Sequence, residues 1–184
     1  MRNTASGINS ELAKLLTLRG SDFVRQLKLI AARKEFHPLV SDPCIFTVGG
    51  EQDDDYPSLL LAARKVVEHG YRVYLLPNPH DFRTADFILE RRGVFKLYDL
   101  KTISGKTIAG SRMLESIGQA NRVMLNLTTD YNPSSLARSI KLYFERSNET
   151  LEVLLLKGKK IISITRDLTL SPDFYNIFMR RYLR

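Results

Sequence analysis

A single cysteine stands in the 184 residues, so no internal disulfide can form and the fold rests on packing alone. That residue, Cys44, lies between Pro43 and Ile45, a packing context rather than a reactive one. Histidine is scarce, three in all, and no His/Cys cluster has the spacing of a zinc site. Long apolar runs are missing too. None approaches the ~20 residues that cross a bilayer, and the opening Met1-Arg2-Asn3-Thr4 is polar, without the apolar core of a secretory signal. No repeat or low-complexity tract is present. The expectation is a soluble, cytoplasmic chain with no membrane partner, which leaves delivery to another cell by a larger machine open. The last shortage is of acid: 20 Asp and Glu face 28 Lys and Arg, a net charge of +8. Such an excess suits a polyanionic partner, nucleic acid first.

What is present is ordinary globular material. Apolar residues make up 43% and charged residues 26% of the chain, enough for a real core in one domain with an appendage. Leu12, Leu15 and Leu16 recur at helical spacing up to Gly20. Ser21 then caps a second expected helix with Phe23, Val24, Leu27 and Ile30. Residues 37–55 read as a Pro/Gly/Asp-rich linker holding one short strand, Cys44–Val48. Asp53-Asp54-Asp55 precedes Pro57 and reads as the acidic start of a helix rather than a metal cluster. That helix closes at Gly70, and a strand, Tyr71–Leu76, stops at Pro77-Asn78-Pro79. Further on come a helix near 111–120, a strand Arg122–Leu127, a helix from Asn132-Pro133, and a hairpin of Leu151–Leu156 and Lys160–Thr165 around Gly158. A basic tail, Arg180-Arg181-Tyr182-Leu183-Arg184, ends the chain. The order predicts an α/β fold: a twisted mixed β-sheet flanked by helices. Residues 1–50 would be an N-terminal helical appendage and linker, and 51–184 the main α/β domain.

The sharpest signal sits between residues 85 and 102. Ala85-Asp86-Phe87-Ile88-Leu89, Arg92-Gly93 and Tyr98-Asp99-Leu100-Lys101-Thr102 read as two strands joined by a tight turn. With Arg92-Gly93 as the turn, Arg91 faces Val94 and the ladder brings Asp86 opposite Asp99. Opposed residues share a face, and Lys101, two residues beyond Asp99, shares it as well. Like charges placed opposite one another destabilise a strand pair. A divalent cation or a shared proton relieves that repulsion. Phe95 and Leu97 on the same face point to a partly covered environment.

These residues resemble the core of the PD-(D/E)XK nucleases: a helix, a three-strand meander, a helix and a further strand, matched in order from Pro57 to Leu127. The resemblance implies a catalytic Asp86, an Asp99-Leu100-Lys101 motif on the next strand, and Gln119 as the glutamine of the following helix. Ala85 stands where that family has proline. A narrower resemblance covers residues 57–165. The runs HGYRVYLLPNP, TADFIL, YDLKT, IGQANRVMLNL and KGKKIISI are similar to the C-terminal toxin domains of contact-dependent growth inhibition proteins and phage-associated toxins. Some of those resemble barnase- and colicin-type ribonucleases. Together they imply a toxin-like endonuclease acting on nucleic acid, RNA or tRNA ahead of DNA, with an immunity protein as a partner.

Two chemistries remain open. With metal, Asp86 and Asp99 ligate Mg²⁺ or Mn²⁺ through hard oxygens, the Leu100 carbonyl completes the shell, and Lys101 acts on water or phosphate. Without metal, the 2′-OH of RNA attacks, Asp99 or His80 is the general base, and Lys101 stabilises the phosphorane. A third reading is a non-catalytic nucleic-acid-binding or interaction module on a degenerate nuclease fold. Lys96, Lys106, Arg112 and Arg122 flank the proposed site in sequence, and Lys157, Lys159 and Lys160 cluster at the later hairpin tip. All are candidate phosphate contacts.

Overall fold

The computed structural model describes residues 5–49, 53–79, 81–104 and 108–184. The chain divides into two compact units, residues 1–99 and 100–184. The strands pair in the order β1-β2-β3-β4-β5 from the first unit and β6-β7-β8 in the second, with parallel and antiparallel pairs mixed in both. This is the α/β, mixed-sheet architecture expected from the sequence. No described helix is long and apolar enough to cross a membrane.

In the first unit, α1 (Ala5–Lys14) and α2 (Gly20–Ala31) form a helical pair. Ile8, Leu12, Leu15, Leu27 and Ile30 are buried, and the Gln26 amide donates to the Glu11 carboxylate between the helices. Ser21 is not the cap of α2. The N-cap is Arg19, with extended backbone and no side-chain cap bond. The linker contains β1 (His37–Pro38) and β2 (Ile45–Thr47), which pair antiparallel. Helix α3 (Tyr56–Val67) carries the chain from β2 to β3 (Arg72–Leu75), a parallel neighbour with Ile45 beside Val73 and Phe46 beside Tyr74. Such a crossover needs a helix with a small, apolar inner face, and Ala62, Ala63 and Val66 supply it, all fully buried. Asp55 is the N-cap of α3 but makes no side-chain cap bond. Asp53 instead accepts from the Asn78 amide at 3.1 Å. The acidic run thus ties down the loop after β3 rather than capping the helix with its side chains.

Antiparallel to β3 runs β4 (Phe87–Arg91), followed by β5 (Val94–Ile103). Arg92 and Gly93 have φ of 52° and 78°, the pair of positive values that a two-residue type I′ turn demands. The Glu90 carboxylate accepts from the Gly93 N–H at 2.7 Å. The register is the one the turn predicts: Arg91 faces Val94 and Phe87 faces Tyr98.

The second unit contains the end of β5, then α4 (Ala109–Leu114), β6 (Arg122–Leu127), α5 (Pro133–Arg146), β7 (Glu152–Lys157) and β8 (Lys160–Thr165). Helix α4 is shorter than the expected 111–120 helix. It ends in turns that run into Gly118 at φ 83°, a left-handed conformation that stops a helix. Asn132 caps α5 by accepting from the Ser135 N–H. Strands β6 and β7 are parallel, and β7 and β8 form the expected hairpin. The tail is structured rather than a bare basic end. Helices α6 (Arg166–Leu170) and α7 (Phe174–Leu183) pack there, with Phe174, Phe178 and Tyr182 in a core that also holds Val123, Leu125, Ile140, Tyr143, Phe144 and Val153. The Tyr182 hydroxyl donates to the Tyr131 carbonyl and accepts from its N–H. Arg166 donates to the carbonyls of Phe144, Ser147 and Thr150, satisfying acceptors that the end of α5 leaves open. On the margin of β8, Arg181 donates to the Ser163 carbonyl at 3.1 Å.

Candidate functional site

The β4–β5 hairpin positions Asp86 and Asp99. The paired ladder ends at Phe87 and Tyr98, one position short of the Asp86–Asp99 pair that the turn register predicts. On its other side Asp86 is held by β3, because its carbonyl accepts from the Leu76 N–H at 2.9 Å. One detail was not foreseen. The Asp86 N–H donates to the Tyr98 carbonyl at 3.0 Å, so the strand does not simply continue into an Asp86–Asp99 pair. Two successive residues facing one partner residue is the pattern of a β-bulge, which bends the strand and re-aims the side chain. Asp99 is 2% exposed, whereas Asp86 is only half-buried. A carboxylate taken that far out of water needs compensating charge or hydrogen bonds.

Along β5, Lys101 follows Asp99 by two residues on one unbroken strand. The pleat therefore gives the two side chains a common face. Lys101 is half-buried and Leu100 between them is buried. Two carboxylates are the donor set that Mg²⁺ and Mn²⁺ accept, since these ions keep several waters and take further oxygens from a phosphate. Among the described residues no group of three or more His, Cys, Asp or Glu gathers at one place. Asp86, Asp99 and the Leu100 carbonyl are hard oxygen donors of the type such an ion takes.

The remaining candidates have local surroundings of their own. Gln119 lies beyond α4, and its amide donates to the Glu115 carbonyl. Arg112 pairs with Glu115 at 2.6 Å. Arg122 lies 3.4 Å from the buried Glu152 and donates to Asn121. Lys157 donates to the Tyr182 carbonyl at 3.2 Å, lies 3.6 Å from Asp130 and sits 3.9 Å from the centre of the Tyr182 ring. Lys159 is exposed at the tip of the β7–β8 hairpin, with Lys160 half-buried beside it. Lys96 is half-buried on β5. Lys106 and His80 lie outside the described residues.

From the sequence, the loop between β3 and β4 offered only His80 as a functional candidate. Asn78, Pro79, Asp81, Phe82 and Arg83 line an open concavity of about 370 Å³. Pro77-Asn78-Pro79 registered only as a strand stop. The signal available was an aromatic, an arginine and two hydrogen-bonding side chains in six residues ahead of Asp86.

No family model matches the chain, and no curated protein matches it. Among solved structures it is similar to a CdiA-CT/CdiI toxin and immunity complex from Burkholderia pseudomallei. The TM-score is 0.41 and the sequences are 18% identical, over 64% of this chain and 92% of that chain.

Proposed function

We propose that the protein is a metal-assisted endonuclease that cuts RNA in preference to DNA, with its chemistry at Asp86, Asp99 and Lys101 in residues 51–184 and its N-terminal helices as an appendage. The observation that supports this reading is the place of Asp86 and Asp99 along the chain, each immediately beyond the last ladder pair of β4 and β5, Phe87 with Tyr98. Asp86 and Asp99 would hold Mg²⁺ or Mn²⁺, with the Leu100 carbonyl as a third oxygen. When bound, the ion supplies Lewis-acid polarisation of a phosphoryl oxygen. The Lys101 ammonium would stabilise the charge that builds on the phosphate as water attacks, and would favour loss of that water's proton. Gln119 would orient the water or the phosphate. Lys96, Lys106, Arg112, Arg122, Lys157, Lys159 and Lys160 would hold the polyanion, giving an affinity that falls with salt.

The toxin reading and an immunity protein as partner come from the resemblance in residues 57–165, and with them a cytoplasmic site of action, where tRNA and other RNA are found. Incubation of the purified chain with bulk tRNA, other RNA and duplex DNA, with and without EDTA, tests the proposal. Cleavage of RNA that EDTA and Asp99→Asn each abolish is the expected result. Cleavage that survives EDTA and leaves 2′,3′-cyclic phosphate ends would replace the metal with attack by the 2′-OH. No cleavage of any substrate, with Asp99→Asn altering stability alone, would leave a binding module.

A further inference from the structure

The positive charge of the chain is unevenly shared. Residues 1–99 hold 14 Lys and Arg against 13 Asp and Glu, whereas residues 100–184 hold 14 against 7. Seven of the eight net charges therefore belong to the second unit. Within that unit two elements bring cations together. Lys157 of β7 donates to the Tyr182 carbonyl and lies over the Tyr182 ring, so the β7–β8 tip meets the last turn of α7. From the helix side, Arg181 donates to the Ser163 carbonyl of β8. Lys157, Lys159, Lys160, Arg180, Arg181 and Arg184 are thus gathered at one end of the unit.

Asp130 brings a carboxylate to within 3.6 Å of Lys157, and the group stays strongly positive. The dipole of α7 favours cations in its own last turn, but it asks for none on a hairpin tip. Like charges collected from two elements repel, and a polyanion relieves them. Arg180 and Arg184 are exposed. The Arg184 N–H donates to the Arg180 carbonyl, so the two stand about one helical turn apart, ~6 Å along the axis. That step is of the same order as the one between successive phosphates of a nucleic-acid strand. A protein partner would call for an apolar centre and little lysine, whereas here Leu183 is an exposed apolar side chain set among cations. Arginine also takes a phosphate through two N–H groups at once. We propose that the end of α7 and the β7–β8 tip form one surface that grips an RNA backbone, with Arg180 and Arg184 as phosphate contacts beside the lysines. The surface sets the strength and salt dependence of binding. RNA as its occupant rests on the nuclease reading.

The test uses the full chain and a fluorescent single-stranded 2′-O-methyl RNA in EDTA, so that neither metal-assisted hydrolysis nor attack by a 2′-OH consumes the probe. Anisotropy titrations at several salt concentrations give the slope of log affinity against log salt. Arg180→Gln with Arg184→Gln should lower that slope by about 1.4, and each single variant by about half as much. Arg180→Lys with Arg184→Lys keeps the charge and should keep the slope. Arg25→Gln with Lys34→Gln removes the same charge from exposed positions of the first unit and should leave the slope unchanged. All four side chains are exposed, so thermal melting should find the variants folded. An unchanged slope in the Arg180 and Arg184 variants overturns the surface. An equal fall from both Gln pairs also overturns it, because net charge alone then accounts for binding. Polyglutamate that displaces the RNA at equal charge overturns nucleic acid as the occupant. Cleavage of unmodified RNA with the slope unchanged leaves the nuclease standing without this surface. A lowered slope with no cleavage of any substrate supports the surface and overturns the nuclease.

Discussion

The backbone N–H of Asp86 donates to the carbonyl of Tyr98 at 3.0 Å, although the ladder partner of Tyr98 is Phe87. The fold thus holds Asp86 through its main chain on both sides, to β5 through its N–H and to Leu76 through its carbonyl. Asp86→Asn should alter stability by no more than about 0.5 kcal/mol in urea while ending metal-dependent cleavage. Asp86→Pro removes the donor itself and should cost about 1–3 kcal/mol. Equal destabilisation by both would show that the carboxylate, not the backbone, holds the hairpin end.

Mg²⁺ should raise the melting temperature of the wild-type chain. An ion that binds only the folded state contributes about 2.7 kcal/mol at a hundredfold excess over its Kd. Asp99→Asn should lose this rise together with cleavage. Lys101→Ala should keep the rise and lose cleavage, because an ammonium acts on water or phosphate and not on a cation. A rise that persists in Asp99→Asn would remove Asp99 from the ligand set.

Lys157 is tied to Tyr182 and Asp130, so replacing it would mix binding with stability. Lys159→Ala with Lys160→Ala is the cleaner variant. If both lysines touch single-stranded RNA, the slope of log affinity against log salt should fall by about 1.4. An unchanged slope takes the β7–β8 tip out of the interface.

Arg64 donates twice to one carboxylate oxygen of Asp42, at 3.0 and 2.9 Å. That contact first, and a hydrogen bond from Ser41 second, hold the Asp42 carboxyl below its ordinary value. A carboxyl depressed in the folded state contributes stability that is present above its unfolded pKa, about 3.9, and is lost as pH falls through the lower folded value. Asp42→Asn should therefore flatten the acid side of the stability profile below about pH 4 and leave its neutral shape unchanged. An identical acid limb in the variant would show that the pair carries no linkage.

Arg166→Ala strips the carbonyls of Phe144, Ser147 and Thr150, in and just beyond the last turn of α5, of their donor and should cost about 2–4 kcal/mol, read from urea denaturation. Arg166→Lys brings one ammonium to a fork of acceptors and should recover only part of the loss.

Much of this was legible in the chain. The Arg92-Gly93 turn carried its own backbone requirement and so fixed the hairpin register residue by residue. Helix α3 and the β7–β8 hairpin had clear punctuation in Pro57, Gly70 and Gly158. The C-terminal helix was missed although Phe174, Phe178 and Tyr182 recur every fourth residue, because the basic residues around Tyr182 dominated the reading. Arg166 gave no signal, since its partners are carbonyls brought near only by the fold. The bulge at Asp86 was hidden for the same reason. Which carbonyl an N–H chooses is decided by β3 and β5 together. The loop at 78–83 has no periodicity, so its concavity is visible only in three dimensions.

Two details described for their local geometry bear on how the protein behaves in a crowded solution. In the first unit β1 is an outer strand, two residues long and ending in Pro38, and in the second β8 is an outer strand, where Arg181 occupies the carbonyl of Ser163. Proline has no N–H to offer a newcomer, and a guanidinium already seated on a carbonyl displaces one. Both outer strands are thereby discouraged from recruiting further strands, those of other copies included. Concentrated samples should stay free of fibrils, and a protein that captures this chain should do so through side chains rather than by lengthening its sheet.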